Sequence, residues 1–374
     1  MKTTLKLFLA CFFLISCFSY CSSDDKNSSE IPGDSQADPN PVIDEVNTSI
    51  PNAQFSTEGE YSLVRIDLTG IQHPETKEWL KLFGTKEAQQ NVWVEVDGVA
   101  KGVVVYNNDA NSNNNKTVYA DLVFLVDNSG SMGQEADSVA NGIVKWATNL
   151  SKQKIDIKFG CVGYESGVNG ALNFTNVEGI SQYLDRAKGT SRTKGFEGED
   201  KDALIAARSG YQHGNDECGS EALRFADENF SFRNGANRVY VNFTDEPNQP
   251  GGYPEWSVEY VADQSTWNAQ KGTIHTVYSA DTTFSVSQYY REKPWVMSRY
   301  TGGTELFVPS SFKDVTLDVL PVTGAMVNSY IIKFKNTSTI TDGLHQVKIT
   351  ILSPDKKVKA EKVFKNIRFG TATE

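Results

Sequence analysis

Five consecutive apolar residues, Leu122 to Val126, run directly into Asp127-Asn128-Ser129-Gly130-Ser131, and a stretch with helical spacing follows at Ser138 to Leu150 (Val139, Ile143, Trp146, Leu150). An uninterrupted apolar run of that length suits a strand covered on both faces, which in practice means a parallel sheet with helices on either side. The pattern then repeats. Ile155 to Tyr164, Ala171 to Phe174, Val239 to Phe243, Ile274 to Tyr278 and Leu306 to Val308 read as strands, and Ser220 to Phe230, Val258 to Gln270 and Val315 to Leu320 read as helical. This alternation predicts an α/β domain with a doubly wound, mostly parallel sheet over residues 119–322.

The flanks read differently. Tyr61 to Leu68, Val92 to Val96 and Gly102 to Tyr106 on one side, and Tyr330 to Phe334, His345 to Leu352 and Lys357 to Phe364 on the other, have strand character. A break falls in the Asn-, Asp- and Ser-rich stretch Asn107 to Asn115. Neither flank is long enough for a comfortable domain alone, so residues 47–118 and 323–374 are expected to pair into one β-sandwich into which the α/β domain is inserted. The alternative is two separate small β-modules.

The 374 residues suffice for about two domains, and 39% hydrophobic with 22% charged residues is the composition of a folded globular body. A net charge of -11 repels phosphate backbones, which argues against nucleic acid as a partner.

Residues 1–16 read as an export signal, with Lys2 and Lys6 before a short apolar stretch from Leu7 to Ile15. Leu14-Ile15-Ser16-Cys17 resembles the bacterial lipobox, which implies lipid attachment at Cys17; Cys21 is the rival acceptor, and an ordinary secretory signal is the plainer alternative. The tract Cys21-Ser22-Ser23-Asp24-Asp25 is similar to the acidic signal that directs lipoproteins of Bacteroidetes-type bacteria to the outer cell surface. The resemblance implies an outer-membrane, lipid-anchored location. Residues 17–46, polar and with Pro32, Pro39 and Pro41, are expected to be a flexible tether. Beyond the anchor region only Cys161 and Cys218 are left, either bridged or free and buried.

Asp127, Ser129 and Ser131 place one carboxylate and two hydroxyls in a single turn at the C-terminal edge of a strand, the edge at which open α/β sheets bind ligands. Hard oxygen donors without Cys or His suit Mg2+, Mn2+ or Ca2+. The run resembles the metal-ion-dependent adhesion site of von Willebrand factor type A domains, over about Tyr119 to Val322. That family adds a Thr, or in integrin β subunits a Glu, before the helix leading to the fourth strand, and an Asp after that strand. The resemblance puts Glu217 and Asp245 in those roles, with Asp216, Thr190 and Thr193 as weaker candidates. A third carboxylate makes the site more anionic and leaves less positive charge for an acidic ligand. The bland reading of the motif is a helix N-cap. Glu135 lies where integrin β subunits hold a second ion, but is expected to be a solvated acid at the start of a helix.

Gly189 to His213 is expected to be a long loop on the metal face, either specificity-bearing or a mobile insertion, and Tyr253 and Trp256 belong to the same rim as contacts or cover. No nucleophile elbow, phosphate loop or His-based metal motif is visible. The resemblance therefore implies a binding protein, not an enzyme, whose ion takes a carboxylate from a protein ligand. The rivals are a metal-dependent hydrolase, with His213 near Asp216 and Glu217, and a scaffold whose ion is only structural.

Overall fold

The computed structural model describes residues 31–58, 63–107, 118–133, 135–153, 155–186, 193–212, 216–310, 312, 315–336 and 343–369. The expected export signal, Cys17, Cys21, Thr190 and His213 lie outside the described residues.

The first flank supplies β1 (Ala53–Glu58), β2 (Leu63–Leu68), β3 (Val92–Val96), β4 (Val99–Lys101) and β5 (Val103–Asn107). The middle of the chain supplies β6 (Val118–Asp127), α1 (Ala136–Ser151), β7 (Ile155–Glu165), β8 (Gly167–Thr175), α2 (Val177–Leu184), β9 (Phe196–Glu197), α3 (Lys201–Ala207), α4 (Gly219–Asn229), β10 (Asn237–Thr244), β11 (Thr273–Tyr278), α5 (Val296–Thr301), β12 (Glu305–Phe307) and α6 (Val322–Val327). The last flank supplies β13 (Tyr330–Lys335), β14 (His345–Leu352) and β15 (Lys359–Ile367).

The central sheet has seven strands in the order β12-β11-β10-β6-β7-β8-β9, all pairs parallel except β7 with β8. Alternation along β6 explains its continuous apolar run. Leu122, Phe124 and Val126 pack with Val139, Ile143 and Trp146 of α1. Val123 and Leu125 face the other way, into a core with Ala222, Leu223 and Phe225 of α4. Two cores on opposite faces of one sheet are what a strand with no polar face requires, and each fully buried Leu or Phe contributes on the order of 1.5–3 kcal/mol. Cys161 and Cys218 are free and buried.

The flanks interleave. One antiparallel sheet runs β1-β2-β13-β5 and the other β15-β14-β3-β4, so each combines strands from both ends of the chain. Ile66 of β2 and Val105 of β5 both pair with Ile332 of β13, and Ile349 of β14 pairs with Val94 of β3. The facing sides share one apolar core that includes Ile66, Leu68, Val94, Ile332, Phe334, Ile349 and Phe364. The α/β unit is thus inserted between the halves of a β-sandwich.

Several local expectations fail. Part of the expected tether packs: Ile31 is buried, and Asp34 pairs with Lys101 at 2.8 Å. Val258 to Gln270 forms only the short 3-10 turns Val258–Val261 and Ala269–Lys271. There the Asp263 carboxylate accepts from the Ser265 N–H and the Thr266 hydroxyl donates to the Tyr260 carbonyl, local bonds that compete with a helix. Leu317–Val319 is likewise a 3-10 turn, with α6 beginning only at Val322. Within the expected loop Gly189 to His213, β9 extends the sheet beside β8 and α3 follows.

Candidate functional site

The chain leaves β6 toward β7 on one side and reaches β10 on the other, so the gap between β6 and β10 is the place where the strand order reverses. Open parallel sheets bind ligands at such a switch point, outside the carboxyl ends of the strands. Val126 pairs with Phe243, and this register sets Thr244 beside Asp127 at that edge.

Asp127 is fully buried. Its Oδ1 accepts from the Ser129 N–H at 2.8 Å and its Oδ2 from the Thr244 hydroxyl at 2.7 Å. The hydroxyls of Ser129 and Ser131 lie 2.9 Å apart, and Ser131 donates to Asp245 Oδ1 at 2.9 Å. Asp127, Ser129, Ser131 and Asp245 therefore form one hydrogen-bonded chain between the loops after β6 and β10. Burial pushes the Asp127 carboxyl up to about 7 against the hydrogen bonds that favour its anion, and the nearby Asp245 charge adds to the rise.

Glu217 sits just before α4 and is largely buried. It accepts from Gln249 Nε2 at 3.1 Å. Burial, and then repulsion from Asp127 and Asp216, pushes its carboxyl upward. The electrostatic interaction places it within reach of Asp127, but it is not a member of the hydrogen-bonded chain. Among the described residues no group of three or more His, Cys, Asp or Glu side chains is placed to hold a metal ion. The grouping thus depends on the two serine hydroxyls. Its donors are all oxygen, the kind that hard divalent cations take, and positive charge there would relieve the mutual repulsion of the buried carboxylates.

The motif is not a helix N-cap. Helix α1 begins five residues beyond Ser131, and the residue at its N-cap is Glu135, with no side-chain capping bond. Glu135 is itself buried, not solvated as expected. Thr193 lies in the same neighbourhood: its hydroxyl accepts from Asn128 Nδ2 at 3.0 Å, while Asn169 Oδ1 accepts from the same nitrogen at 2.6 Å. Asp216 is exposed beside Glu217. Tyr253 is exposed on the rim, whereas Trp256 is buried, with the Arg224 guanidinium 4.2 Å above its ring.

Sequence reasoning passed over Thr244 and Asn248. Thr244 stands in the Phe243-Thr244-Asp245 run and was legible only as a strand end. Asn248 Oδ1 accepts from the N–H and hydroxyl of Ser220, both at 3.0 Å, and its amide donates to the buried Glu292, also bonded by the Val258 N–H and the Ser257 hydroxyl. This network ties the loop after β10 to the start of α4, and so supports the segments that carry Asp245 and Glu217.

The class defined by this arrangement is a doubly wound α/β domain with a polar site at its switch point, carried on a β-sandwich. No protein-family model matches the chain, and no curated protein matches it. Among solved structures it is similar to the pilus adhesin SpaC from Lactobacillus rhamnosus GG in its open conformation, at 11% identity over 85% of this chain and 54% of that one, with a TM-score of 0.32. It is also similar to the ArnB paralog VWA2 from Sulfolobus acidocaldarius (8% identity, 86% and 75% covered, TM-score 0.31) and to the human COPII-coat protein Sec24c (11% identity, 86% and 53% covered, TM-score 0.30). The chain spans about half the length of SpaC and of Sec24c.

Proposed function

We propose that the chain is a surface-tethered binding module of the von Willebrand factor A type, in which a divalent ion held by Asp127, Ser129, Ser131 and Asp245, with Glu217 completing its shell, takes a carboxylate from a protein ligand. The observation that carries this reading is the chain from Asp127 through Ser129 and Ser131 to Asp245, closed across the switch point of the sheet. The all-oxygen donor set suits Mg2+, with Mn2+ or Ca2+ as substitutes. A lipid at Cys17, or at Cys21, would hold the module to an outer membrane. No described helix is long and apolar enough to cross a membrane.

One observation favours a second reading, in which the ion only staples the loops. Glu217 stands close enough to Asp127 to raise its own proton affinity, and a third carboxylate leaves little positive charge for an acidic ligand. The rival from another class is a metal-dependent hydrolase, separated by assaying broad esters and phosphoesters during a metal titration. We favour the non-enzymatic reading because the Ser129 and Ser131 hydroxyls are engaged with one another and with Asp245.

The deciding experiment is a pull-down from host-matrix and envelope extracts with and without chelator, comparing the wild type with Asp245→Ala. A band that disappears in chelator and in the variant supports metal-dependent binding, and equal recovery throughout overturns it. For the anchor, labelling with a lipid precursor should fail in Cys17→Ala; continued labelling would move the acceptor to Cys21.

A further inference from the structure

A cavity of about 210 Å3 lies at the opposite end of the central sheet from Asp127, where the sandwich meets the α/β unit. Asn237 and Thr273, the first residues of β10 and β11, line it. At ~3.3 Å per strand residue it is about 23 Å from Thr244 along β10. The first flank contributes Thr69, Gln72 and Trp79, and α6 contributes Met326.

Trp79 is a fixed wall. A Cβ added at Gly70 would come within 2.9 Å of its ring, and one at Gly324 within 2.3 Å, so both glycines let the backbone lie flat against the indole. His275 is buried in β11 and its Nδ1 accepts from the Thr304 N–H at 3.0 Å. That bond assigns the ring proton to Nε2, which has no partner among the described residues and belongs to a side chain lining the cavity. Burial also pushes the His275 pKa down to about 4, which keeps the ring neutral near pH 7. The hydroxyls of Thr69 and Thr273, both on largely buried side chains, likewise lack a partner among the described residues.

Among the described residues no Asp, Glu or Lys lines the cavity, and the one cation there, Arg238, lies 3.6 Å from Asp227 and 4.4 Å from the centre of the Phe232 ring. A cationic ligand would find no counter-charge there, and an anionic one would have to compete with Asp227 for Arg238. A purely apolar ligand would strand the donor of His275 and the two hydroxyls, at about 1–3 kcal/mol each. At about 210 Å3 the space is below the size of most drug-like pockets and close to that of one six-membered ring with its substituents.

We propose that this cavity binds one uncharged pyranose unit of a glycan, with the apolar C–H face of the sugar against the Trp79 wall and its hydroxyls on His275 Nε2, Thr69, Thr273 and Gln72. A pyranose offers both an apolar face and a ring of groups that donate and accept, which is the combination the lining asks for. The site is independent of the ion at Asp127.

Saturation-transfer-difference NMR on the full chain, in chelator, tests this with glucose, galactose, mannose and N-acetylglucosamine as neutral probes and glucuronate as the charged control. At least one neutral sugar should bind saturably and glucuronate should not. Trp79→Ala should weaken binding about tenfold or more. Thr273→Val, which keeps the shape and removes one hydroxyl, should weaken it about fivefold, the worth of one neutral hydrogen bond. Melting temperatures are recorded for both variants, and Thr273→Val carries the test if Trp79→Ala fails to fold. Absence of binding by every neutral sugar, unchanged binding in a folded Thr273→Val, or binding that requires metal would overturn the proposal.

Discussion

Ser131 Oγ donates to Asp245 Oδ1 at 2.9 Å, a bond between residues 114 positions apart that closes the loop after β6 onto the loop after β10. If these two groups share an ion, removing Asp245 deletes a ligand without opening the core, because Asp245 is only half-buried. Asp245→Ala should lower Mg2+ or Mn2+ affinity by about tenfold or more, by analogy with other losses around metal sites, and leave the melting temperature without added metal within about 2 °C. Calorimetric titration checks the first and a thermal scan the second. Wild-type metal affinity in the variant would remove Asp245 from the ligand set.

Asp127 links that site to pH. Its folded-state pKa is raised from 3.8 to about 7, so between those values the metal-free fold binds more protons than the unfolded chain. Stability attributable to this group should therefore fall as pH rises from about 4 to 7. Divalent metal at 100 times its Kd should restore about 2.7 kcal/mol at neutral pH, and Asp127→Asn should flatten the pH dependence. Urea titrations at pH 5 and pH 7, in chelator and in Mg2+, measure all three. Parallel pH profiles of metal-free wild type and Asp127→Asn would contradict the reading of Asp127.

Continuous apolar runs were the most legible features. The strand Val92–Val96 was readable to the residue, and Leu122 to Val126 announced its two-sided burial. β1 went unread because Gln54, Ser56 and Thr57 dilute its pattern; its pairing with β2 supplies what its residues do not. The helix expected at Val258 to Gln270 failed because Asp263 and Thr266 bond to nearby backbone, a competition invisible to periodicity. At the site, Asp127, Ser129 and Ser131 are local in sequence and were found by spacing. The place of Thr244 beside Asp127 follows from strand register, and Thr193 meets Asn128 across 65 residues. Such partners exist only once the sheet has been assembled.

The interleaved sandwich makes a prediction about truncation. β13 separates β2 from β5, and β14 joins β3 to β15. Ending the chain after Val327 would leave β2 and β5 without their shared neighbour and expose Ile66, Leu68 and Val94. The truncated protein should lose protease resistance across residues 53–107 while the full chain keeps it, as limited proteolysis with mass spectrometry would reveal. A resistant first flank in the truncated chain would favour two independent β-modules.

Lys362 provides a separate pH test away from Asp127. It is carried on β15, yet its ammonium donates to the Ile50 carbonyl at 3.0 Å, Asn52 Oδ1 at 2.8 Å and the Thr301 carbonyl at 3.4 Å, joining the sandwich to the end of α5. All three acceptors are uncharged, so they solvate the cation only in part, and burial lowers its pKa from 10.5 to about 7. Between those values the unfolded chain holds the proton that the folded one has released. Stability attributable to this group should therefore rise with pH from about 7 toward 10, by at most about 1.4 kcal/mol per unit. Lys362→Met has nothing to titrate and should lose that rise, whatever its absolute stability. Comparing the two proteins by urea unfolding at pH 7.5 and pH 9.5 isolates the effect, since other groups titrate alike in both. Parallel pH profiles would mean that the three acceptors hold the ammonium charged throughout, and that burial has been outweighed.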